Sequence, residues 1–600
     1  SDATPEMQAL AEKLSPMITA HSDEVYMNLA LFNRIKAVHD NADQLGLTPV
    51  QRRLTEKYYK RFVRNGALLS AADQDTLKSI NTRLAALQLS FVNNVMSEIA
   101  NNYVVVDNAD RLSGLPKTTI DAAAKLAADK GMAGKWVFTP SASTRLAVLT
   151  SADDRSLREE MYKTYLATAN RGNEFDNSKN INAILKLRQQ KAKLLGFKTF
   201  ADYAIDPVMA KTVDAAENLL LSIWKPAVKK VDEEVADMQK YADAHGAGYK
   251  IEAWDYYYFA EKVKAEKYSF SEDDVRPYFK LENVVENGLF FLANKLYGLT
   301  FTKMPKAPKY NPEVTVYDVK DAKGKHVAVF MTDYYPRPVK AQGAWMMEMN
   351  QAYDFGGKSE RPIVYNVCSF TAPTKDLPSL LTLDEVQTAF HEFGHALNGM
   401  LTVAPYKGLE GTNIDRDFVE LPSQLNEHWA LVPEVLKNFA KHYKTGEVIP
   451  QELVDKLNES SKFNQGFITT ELVGAALLDI EWHKIDWCDN IDVKGFENYV
   501  SRNLGKPSII EYRYRSPYFK HIFGSDEYAC GYYTYLWAQV LEADAWNRFE
   551  EEGPLNIKTA TDYKNYILAP GDTEDAMTLY KKFRGHEPNA DALLRLRGLK

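Results

Sequence analysis

Residues 382–400, TLDEVQTAFHEFGHALNGM, constrain the fold more than any other stretch of the sequence. Thr382 followed by Glu385 forms a capping box, which predicts a helix that begins there. Apolar residues recur along this stretch at three- and four-residue spacing, so one face of the helix is expected to be buried. On such a helix His391 and His395 stand one turn apart on the same face. The chain must therefore fold so that a largely buried helix presents two imidazoles to one point.

Two imidazoles four residues apart can bind one tetrahedral metal ion, which predicts one Zn²⁺ per chain. In the H-E-x-x-H arrangement the intervening glutamate, here Glu392, acts on water as a general base. A catalytic site also needs a third protein ligand and an open fourth position. Glu420 in DRDFVELPSQLNEHWA (415–430) is the best candidate, in a segment that is expected to be helical with Pro422 near its start or at a kink. Glu427, two turns later on the same face, is expected to orient a ligand histidine.

The composition is that of an ordinary globular protein, with 600 residues, 45% hydrophobic and 26% charged. The net charge is −8 and no basic stripe interleaves with aromatic residues, so nucleic acid is not expected as a partner. No apolar run approaches the roughly 18 residues of a membrane span, and no signal peptide is visible. Cys368, Cys488 and Cys530 match neither a zinc pattern nor a disulfide framework. A cytoplasmic protein is favoured, and a trimmed envelope or periplasmic protein is the alternative.

Helical periodicity predominates along the chain, for example over 73–100 and 215–246. The β-like runs fall into two patches. The first patch contains YVVVD (103–107), KWVFTP (135–140) and RLAVLT (145–150), and the second contains VTVYDVKD (314–321), HVAVFMTDYY (326–335) and RPIVYNVCSF (361–370). The pattern therefore predicts a mostly helical protein with strands just before the helix that carries the histidines.

HEFGHAL (391–397) and GTNIDRDFVELPSQLNEHW (411–429) closely resemble the thimet-oligopeptidase-like zinc metallopeptidases. The combination of GTN, RDFVE, PSQ and NEHW is most similar to the bacterial dipeptidyl carboxypeptidases within that family. Further stretches agree along nearly the whole chain, among them WDYYYFAEKV (254–263), YRYRSPYFKHIF (512–523) and GYYTYLWAQ (531–539). Members of the family usually have additional N-terminal helical sequence, so the chain is expected to begin partway through that region.

The resemblance implies a mainly α-helical, two-lobed ellipsoid with a deep central channel and a small sheet beside the zinc helix. Residues 1–300 are expected to form a mostly helical lobe and one channel wall, and residues 301–600 the zinc-binding lobe with the sheet, the two interleaved in sequence. The sheet is expected to offer an edge strand to the substrate backbone. NVCSF (366–370) is the candidate strand, with Asn366 and Cys368 as substrate-binding residues, and an ordinary buried strand is the alternative.

The resemblance also implies groups that stabilise the tetrahedral intermediate of amide hydrolysis. His521, Tyr528 and Tyr535 match positions of oxyanion or carbonyl donors, and Tyr532 matches a substrate-binding position. A phenol is a good neutral donor because its pKa lies near 10. The chain has 34 tyrosines, so core packing is the alternative for each of them. GSDE (524–527) lengthens the spacing before Tyr528, so His521 is expected to reach the substrate only if that insertion bulges outward.

The resemblance implies an enzyme, expected to be monomeric, that hydrolyses short peptides and releases C-terminal dipeptides. Recognition of a free carboxylate calls for a cation, and Arg513, Arg515 and Lys520 are candidates beside structural roles for each. One alternative is an oligoendopeptidase of the same fold, and another is a non-catalytic zinc- or peptide-binding protein, against which the intact Glu392 argues. A helical scaffold with a chance H-E-x-x-H does not account for Glu420 in its context.

Overall fold

The computed structural model describes residues 5–268, 274–337, 340, 343–486 and 489–600. Helices predominate over that part of the chain, and the strands are few and short. The helices are α1 (Pro5–Tyr26), α2 (Leu29–Asp40), α3 (Pro49–Arg64), α4 (Ala71–Asn101), α5 (Lys117–Asp129), α6 (Ala142–Ser151), α7 (Arg155–Leu166), α8 (Ser178–Leu194), α9 (Phe200–Ile205), α10 (Val213–Ala244), α11 (Tyr256–Tyr268), α12 (Leu281–Asn283), α13 (Phe290–Tyr297), α14 (Leu383–Leu401), α15 (Leu421–Glu427), α16 (Pro433–Phe439), α17 (Gln451–Ser460), α18 (Gln465–His483), α19 (Val493–Leu504), α20 (Lys520–Phe523), α21 (Thr534–Glu552), α22 (Ile557–Tyr563), α23 (Ala576–Arg584) and α24 (Asp591–Leu596).

The strands form three sheets, and the largest has five strands. They are β1 (Val104–Val106), β2 (Trp136–Phe138), β3 (Thr300–Lys303), β4 (Thr315–Lys320), β5 (His326–Asp333), β6 (Trp345–Asn350), β7 (Tyr353–Phe355), β8 (Lys358–Glu360) and β9 (Ile363–Val367). Short 3₁₀ helices span Ala109–Leu112, Ala253–Asp255, Arg276–Tyr278, His428–Leu431 and Ser516–Tyr518, and π-helical turns span Val284–Leu289 and Lys564–Leu568. The expected fold class, mainly α-helical with a small sheet beside the H-E-x-x-H helix, is confirmed.

The chain forms two compact units, each assembled from three segments of the sequence. Unit 1 consists of Ser1–Gln74, Phe270–Glu459 and Trp537–Leu593, and unit 2 consists of Asp75–Ser269, Ser460–Leu536 and Leu594–Lys600. The boundary at residue 300 and the channel stay predictions.

The five-stranded sheet belongs to unit 1 and has the strand order β3-β4-β5-β9-β6. β5 and β9 run parallel, and the other neighbours run antiparallel. Asn366 and Val367 in β9 pair with β5 on one side and with β6 on the other. The expectation that an edge strand begins at residue 366 is therefore wrong. The edge strand next to β9 is β6, whose methionine-rich sequence carries little strand signal.

Helix α14 packs against one face of this sheet, touching β5, β6 and β9. The Phe393 ring lies 5.7 Å from that of Phe330 in β5 and 6.2 Å from that of Phe290 in α13. Phe390 and Leu397 are also buried, as the three- and four-residue spacing predicts. Burial of each such side chain contributes roughly 1.5–3 kcal/mol, so the sheet fixes the orientation of the helix that carries the histidines.

In unit 2 the prediction of strands in the first β-like patch is only partly correct. β1 and β2 pair antiparallel where strands are expected, but residues 145–150 lie inside α6 rather than in a strand. Val148 packs there into a buried cluster with Leu157 and Met161. Periodicity does not separate strand from helix in so short an apolar run, and tertiary packing decides.

Two of the three cysteines lie in the described part of the chain. Cys368 and Cys530 are free and buried, as expected, whereas Cys488 lies outside the described residues. Among the described helices, none combines the length and the apolar character needed to cross a bilayer.

Candidate active site

The capping box fixes where α14 begins. Thr382 accepts from the Glu385 amide, and the Glu385 carboxylate accepts from the Thr382 amide, as the sequence predicts. Glu385 also accepts from the Thr371 amide at 2.6 Å, which ties the start of the helix to the segment after β9. From this start, His391 and His395 fall on one face with ring centroids 5.1 Å apart.

Helix α15 brings the third ligand candidate to α14. Glu420 occupies the N-cap position of α15, and Pro422 lies in the first turn, where it costs no hydrogen bond. Gly394 allows the close approach, because a Cβ atom there would stand only 2.5 Å from the Pro422 carbonyl oxygen and 2.7 Å from Ser423 Cα. The two helices therefore meet backbone to backbone at Gly394.

Three side chains converge in unit 1 as the sequence predicts. Glu420 Oε2 lies 3.3 Å from His391 Nε2 and 3.2 Å from His395 Nε2. One ligand atom from each residue lies within 4.8 Å of the others, and no second such metal-ligand group occurs among the described residues. A tetrahedral zinc ion with bonds of about 2.0–2.2 Å places its ligand atoms about 3.3–3.6 Å apart. The observed spacings fit that geometry.

Neighbouring groups hold these ligands in position. His391 Nδ1 donates to Glu427 Oε1 at 2.7 Å, so Nε2 is the ring nitrogen available to a metal. Ser423 Oγ donates to Glu420 Oε2 at 2.8 Å. Asn426 Nδ2 donates to the Phe390 carbonyl at 2.6 Å and ties α15 to α14. Glu427 thus lies where the sequence predicts, and its orienting role stays a prediction.

The electrostatics of the site also fit a cation. Burial disfavours a charged imidazole, but hydrogen bonds to Glu420 and Glu427 outweigh it and raise the pKa of His391 to about 10. Burial opposes ionisation of Glu420 as well, yet its hydrogen bonds to the two imidazoles lower its pKa. The field that retains a proton at His391 favours a divalent cation in its place. The residues present therefore fit a metal ion.

Glu392 is held differently from the ligands. Burial raises its pKa, and the two imidazoles oppose that shift. Its Oε2 atom and Nδ1 of His395 are buried without a hydrogen-bond partner within the part of the chain that the structure describes. A carboxylate with a raised pKa and an uncommitted oxygen suits proton transfer better than structural support.

Asn366 and Cys368 are fully buried rather than displayed to a substrate. The Cys368 amide donates to the Asp333 carbonyl, and the Cys368 carbonyl accepts from Lys340 Nζ at 2.6 Å. Because these backbone groups are engaged and Asn366 lies in an interior strand, the predicted substrate contact loses its geometric basis. The sequence indicates an apolar strand here, but it does not indicate that strands pair with it on both sides.

Unit 2 brings together the three residues expected to serve the intermediate and Tyr532, which is expected to contact the substrate. The Tyr528 and Tyr535 rings stack 6.0 Å apart, and Tyr532 meets Tyr535 edge to face at 5.4 Å. His521 lies 5.3 Å from Tyr532 and 6.2 Å from Tyr528, measured between ring centroids. Within residues 524–527 the Ser525 carbonyl accepts from Arg188 at 2.8 Å, whereas Glu527 is exposed.

Sequence reasoning missed several residues of the site. Gly394 and Ser423 carry a weak signal, since each lies within a recognised motif.

Comparison with known proteins decides the family. The protein-family model described as Peptidase family M3 matches residues 148–599 of this chain. A dipeptidyl carboxypeptidase of Salmonella typhimurium is 38% identical over 99% of this chain and 87% of its own length. The chain belongs to peptidase family M3. As an M3 peptidase it is a metallopeptidase, and the resemblance seen in HEFGHAL and its companion motifs is confirmed.

Other M3-type relatives span nearly the same length. Oligopeptidase A of Escherichia coli is 33% identical over 100% of this chain and 88% of its own length. A solved structure of PZ peptidase A with an inhibitor matches with a TM-score of 0.51 at 14% identity, covering 100% of this chain and 87% of that one. The structural likeness shows the fold alone.

Proposed function

We propose that this M3 peptidase binds one Zn²⁺ per chain through His391, His395 and Glu420 and releases dipeptides from the C-termini of short peptides. The observation that carries the metal assignment is the 3.2–3.3 Å spacing between Glu420 Oε2 and the two Nε2 atoms. Zinc supplies a Lewis acid at the scissile carbonyl when it is bound.

Glu392 is the proposed general base. Its raised pKa and uncommitted Oε2 let it take a proton from the attacking water and deliver that proton to the leaving amine. Glu427 keeps the proton of His391 on Nδ1, so Nε2 stays available as a ligand.

Donors for the developing oxyanion come from the aromatic cluster of unit 2 in this proposal. Tyr528 and Tyr535 act as phenol donors, His521 donates to the intermediate or to a substrate carbonyl, and Tyr532 contacts the substrate. Burial, reinforced by Arg513 and Lys520, lowers the pKa of His521. Its imidazole is therefore a neutral donor at pH 7.

Substitution of Glu392 tests the mechanism. Glu392→Gln is expected to retain zinc, because the ligands are unchanged, and to lower kcat by at least about 1000-fold. Asp384→Asn is a matched control on the same helix, since Asp384 is an exposed carboxylate in its first turn. Zinc content by mass spectrometry and peptide turnover are the measurements, and normal turnover of Glu392→Gln would exclude this base.

The release of dipeptides is supported by relatives named dipeptidyl carboxypeptidase, at 38% and 37% identity. The alternative, an oligoendopeptidase that cleaves internal bonds, is supported by the oligopeptidase A relatives at 33%. A peptide with a free C-terminus and its C-terminal amide separate the two. Loss of cleavage on amidation supports dipeptide release, and equal cleavage of both peptides supports the alternative.

We propose a cytoplasmic monomer, because Cys368 and Cys530 are buried free thiols of the kind kept in reducing compartments. Light scattering of the purified protein tests the oligomeric state, and fractionation of the producing cells tests the compartment.

A further inference from the structure

A strained turn carries the aromatic cluster of unit 2. Residues 528–535, called here the tyrosine segment, form consecutive turns that lead into α21 at Thr534, and the Gly531 amide donates to the Tyr528 carbonyl at 2.9 Å. Cys530 between them has φ +53°, in the left-handed region that residues with a Cβ atom seldom adopt. Such a conformation persists only where the surroundings impose it.

Asp479 on α18 holds Cys530 in this conformation. The Asp479 carboxylate accepts from the amides of Cys530 and Tyr532, each at 2.9 Å. The two amides flank Gly531, so a single carboxylate binds the turn on both sides of that glycine. Asp479 is 0% exposed, and hydrogen bonds from neutral donors to a desolvated anion are stronger than bonds between neutral groups.

Two buried side chains, His483 and Arg188, form a chain of contacts that starts at Asp479. Nδ1 of His483 hydrogen-bonds to the main-chain carbonyl of Asp479 at 2.8 Å and lies 2.9 Å from Asp479 Oδ1, and Nε2 of His483 lies 2.9 Å from an Arg188 guanidinium nitrogen. A guanidinium only donates, so Nε2 accepts and the imidazole proton sits on Nδ1, facing Asp479. Arg188 also donates to the Ile522 carbonyl at 2.6 Å and to Asp526 at 2.9 Å. Arg188 therefore holds the segment after His521 directly and is connected through His483 to Asp479.

We propose that Asp479 is a positioning residue for catalysis, which sets Tyr528, Tyr532 and Tyr535 through the backbone of the tyrosine segment. This inference rests on the proposed function, because it gives those phenols their role. It predicts that loss of the carboxylate lowers turnover while the metal ligands in unit 1 stay intact.

Asp479→Asn is the test, with Glu234→Gln as its matched control. Asparagine keeps the shape but turns an NH₂ group toward one of the two amide donors, so it retains at most one of the bonds. Glu234 likewise accepts from two backbone amides, those of Gly466 and Phe467 at 2.8 and 2.9 Å, at the opposite end of α18. Both variants remove one amide-binding carboxylate from unit 2, that of the buried Asp479 or that of the partly buried Glu234, and only Asp479 binds the tyrosine segment.

The expected result is a kcat about 10- to 100-fold lower in Asp479→Asn, the size of effect caused by misplacing a reacting group by about 1 Å. Zinc content is expected to be unchanged, and Glu234→Gln is expected to keep wild-type kcat even if its melting temperature falls. Equal kcat in the two variants would overturn the inference.

A rescue experiment separates positioning from general destabilisation. Glycine adopts φ > 0 without strain, so Cys530→Gly in the Asp479→Asn background should recover at least about a third of the lost activity on a logarithmic scale. Cys530→Ala in the same background removes the thiol but keeps the strain, so it should recover nothing. Recovery by alanine as much as by glycine would contradict the inference.

The proposed roles of the phenols and the positioning role of Asp479 are refuted by different results. An inactive wild-type protein, or full activity in Tyr535→Phe and Tyr528→Phe, removes the proposed roles of the phenols. An active wild type that loses turnover in Tyr535→Phe but not in Asp479→Asn removes only the positioning role of Asp479.

Discussion

The contact between α14 and α15 at Gly394 is expected to control metal affinity, and Gly394→Ala tests this directly. Ordinary contact of a Cβ atom begins at 3.4 Å, whereas an alanine Cβ at 394 would stand 2.5 Å from the Pro422 oxygen, 2.7 Å from Ser423 Cα and 2.9 Å from Asn426 Cβ. All three atoms belong to α15, and none is the end of a flexible side chain. The helix must therefore move away by roughly 1 Å.

That displacement is large compared with the tolerance of metal–ligand distances, and its cost to the stability of the fold is small. Glu420 caps α15 and Glu427 ends it, so both carboxylates move with the helix. Metal–ligand distances tolerate only about ±0.2 Å, and mutation of outer groups alone costs about 10- to 100-fold in metal affinity. We therefore expect zinc to bind at least about 100-fold more weakly. Alanine gains about 1 kcal/mol of helix propensity against about 1–3 kcal/mol of overpacking, so the metal-free protein should lose about 2 kcal/mol at most.

Competition with a chromogenic chelator measures the zinc affinity, and urea unfolding of the metal-free protein measures the stability. Gly399→Ala is the matched control, because it lies in the same helix and its Cβ would meet only side-chain atoms of Glu348, Val364 and Met346. We expect Gly399→Ala to bind zinc as the wild type does. Wild-type zinc affinity in Gly394→Ala would show that the close approach at this glycine does not set the position of Glu420.

Two further predictions concern single carboxylates. Glu427→Gln should weaken zinc binding about 10- to 100-fold, because the amide is a poorer acceptor for His391 Nδ1–H, and wild-type affinity by chelator competition would contradict this. Burial, with the neighbouring Glu410 carboxylate, raises the pKa of Glu348 to about 7. The unfolded chain releases that proton first as pH rises, so the contribution of Glu348 to wild-type stability should fall by about 3 kcal/mol between pH 4.5 and 8. Glu348→Gln should abolish that fall in urea unfolding, and an unchanged pH slope would exclude the assignment.

Local signals allowed the helix of the metal site to be predicted closely. The capping box at Thr382 places the first turn, and i, i+4 spacing places His391 and His395 on one face. Glu420 was also identified, because its surrounding motif is specific and Pro422 marks the start of a helix. In each case the information lies within a few residues of the group concerned.

Sheet order could not be predicted in the same way. The β9 sequence reads as an apolar strand whether it has one neighbour or two, and only pairing with both β5 and β6 shows that it is interior. Residues 145–150 show the same limit, since packing of Val148 against Leu157 selects a helix for a run that also suits a strand.

The carboxylates of this protein show how predictability falls with the distance along the chain between a group and its partner. The chain contains 81 acidic residues, and most are solvated, so spacing alone does not reveal which ones the fold will bury. Glu427 lies 36 positions from His391, and a specific motif still identifies it. Asp479 lies 51 and 53 positions from the two residues whose amides donate to it, and no recognised motif includes Asp479 itself. Its importance follows only from its burial and from the strained conformation that it holds, so comparison of Asp479→Asn with Glu234→Gln separates buried carboxylates that serve catalysis from those that serve folding.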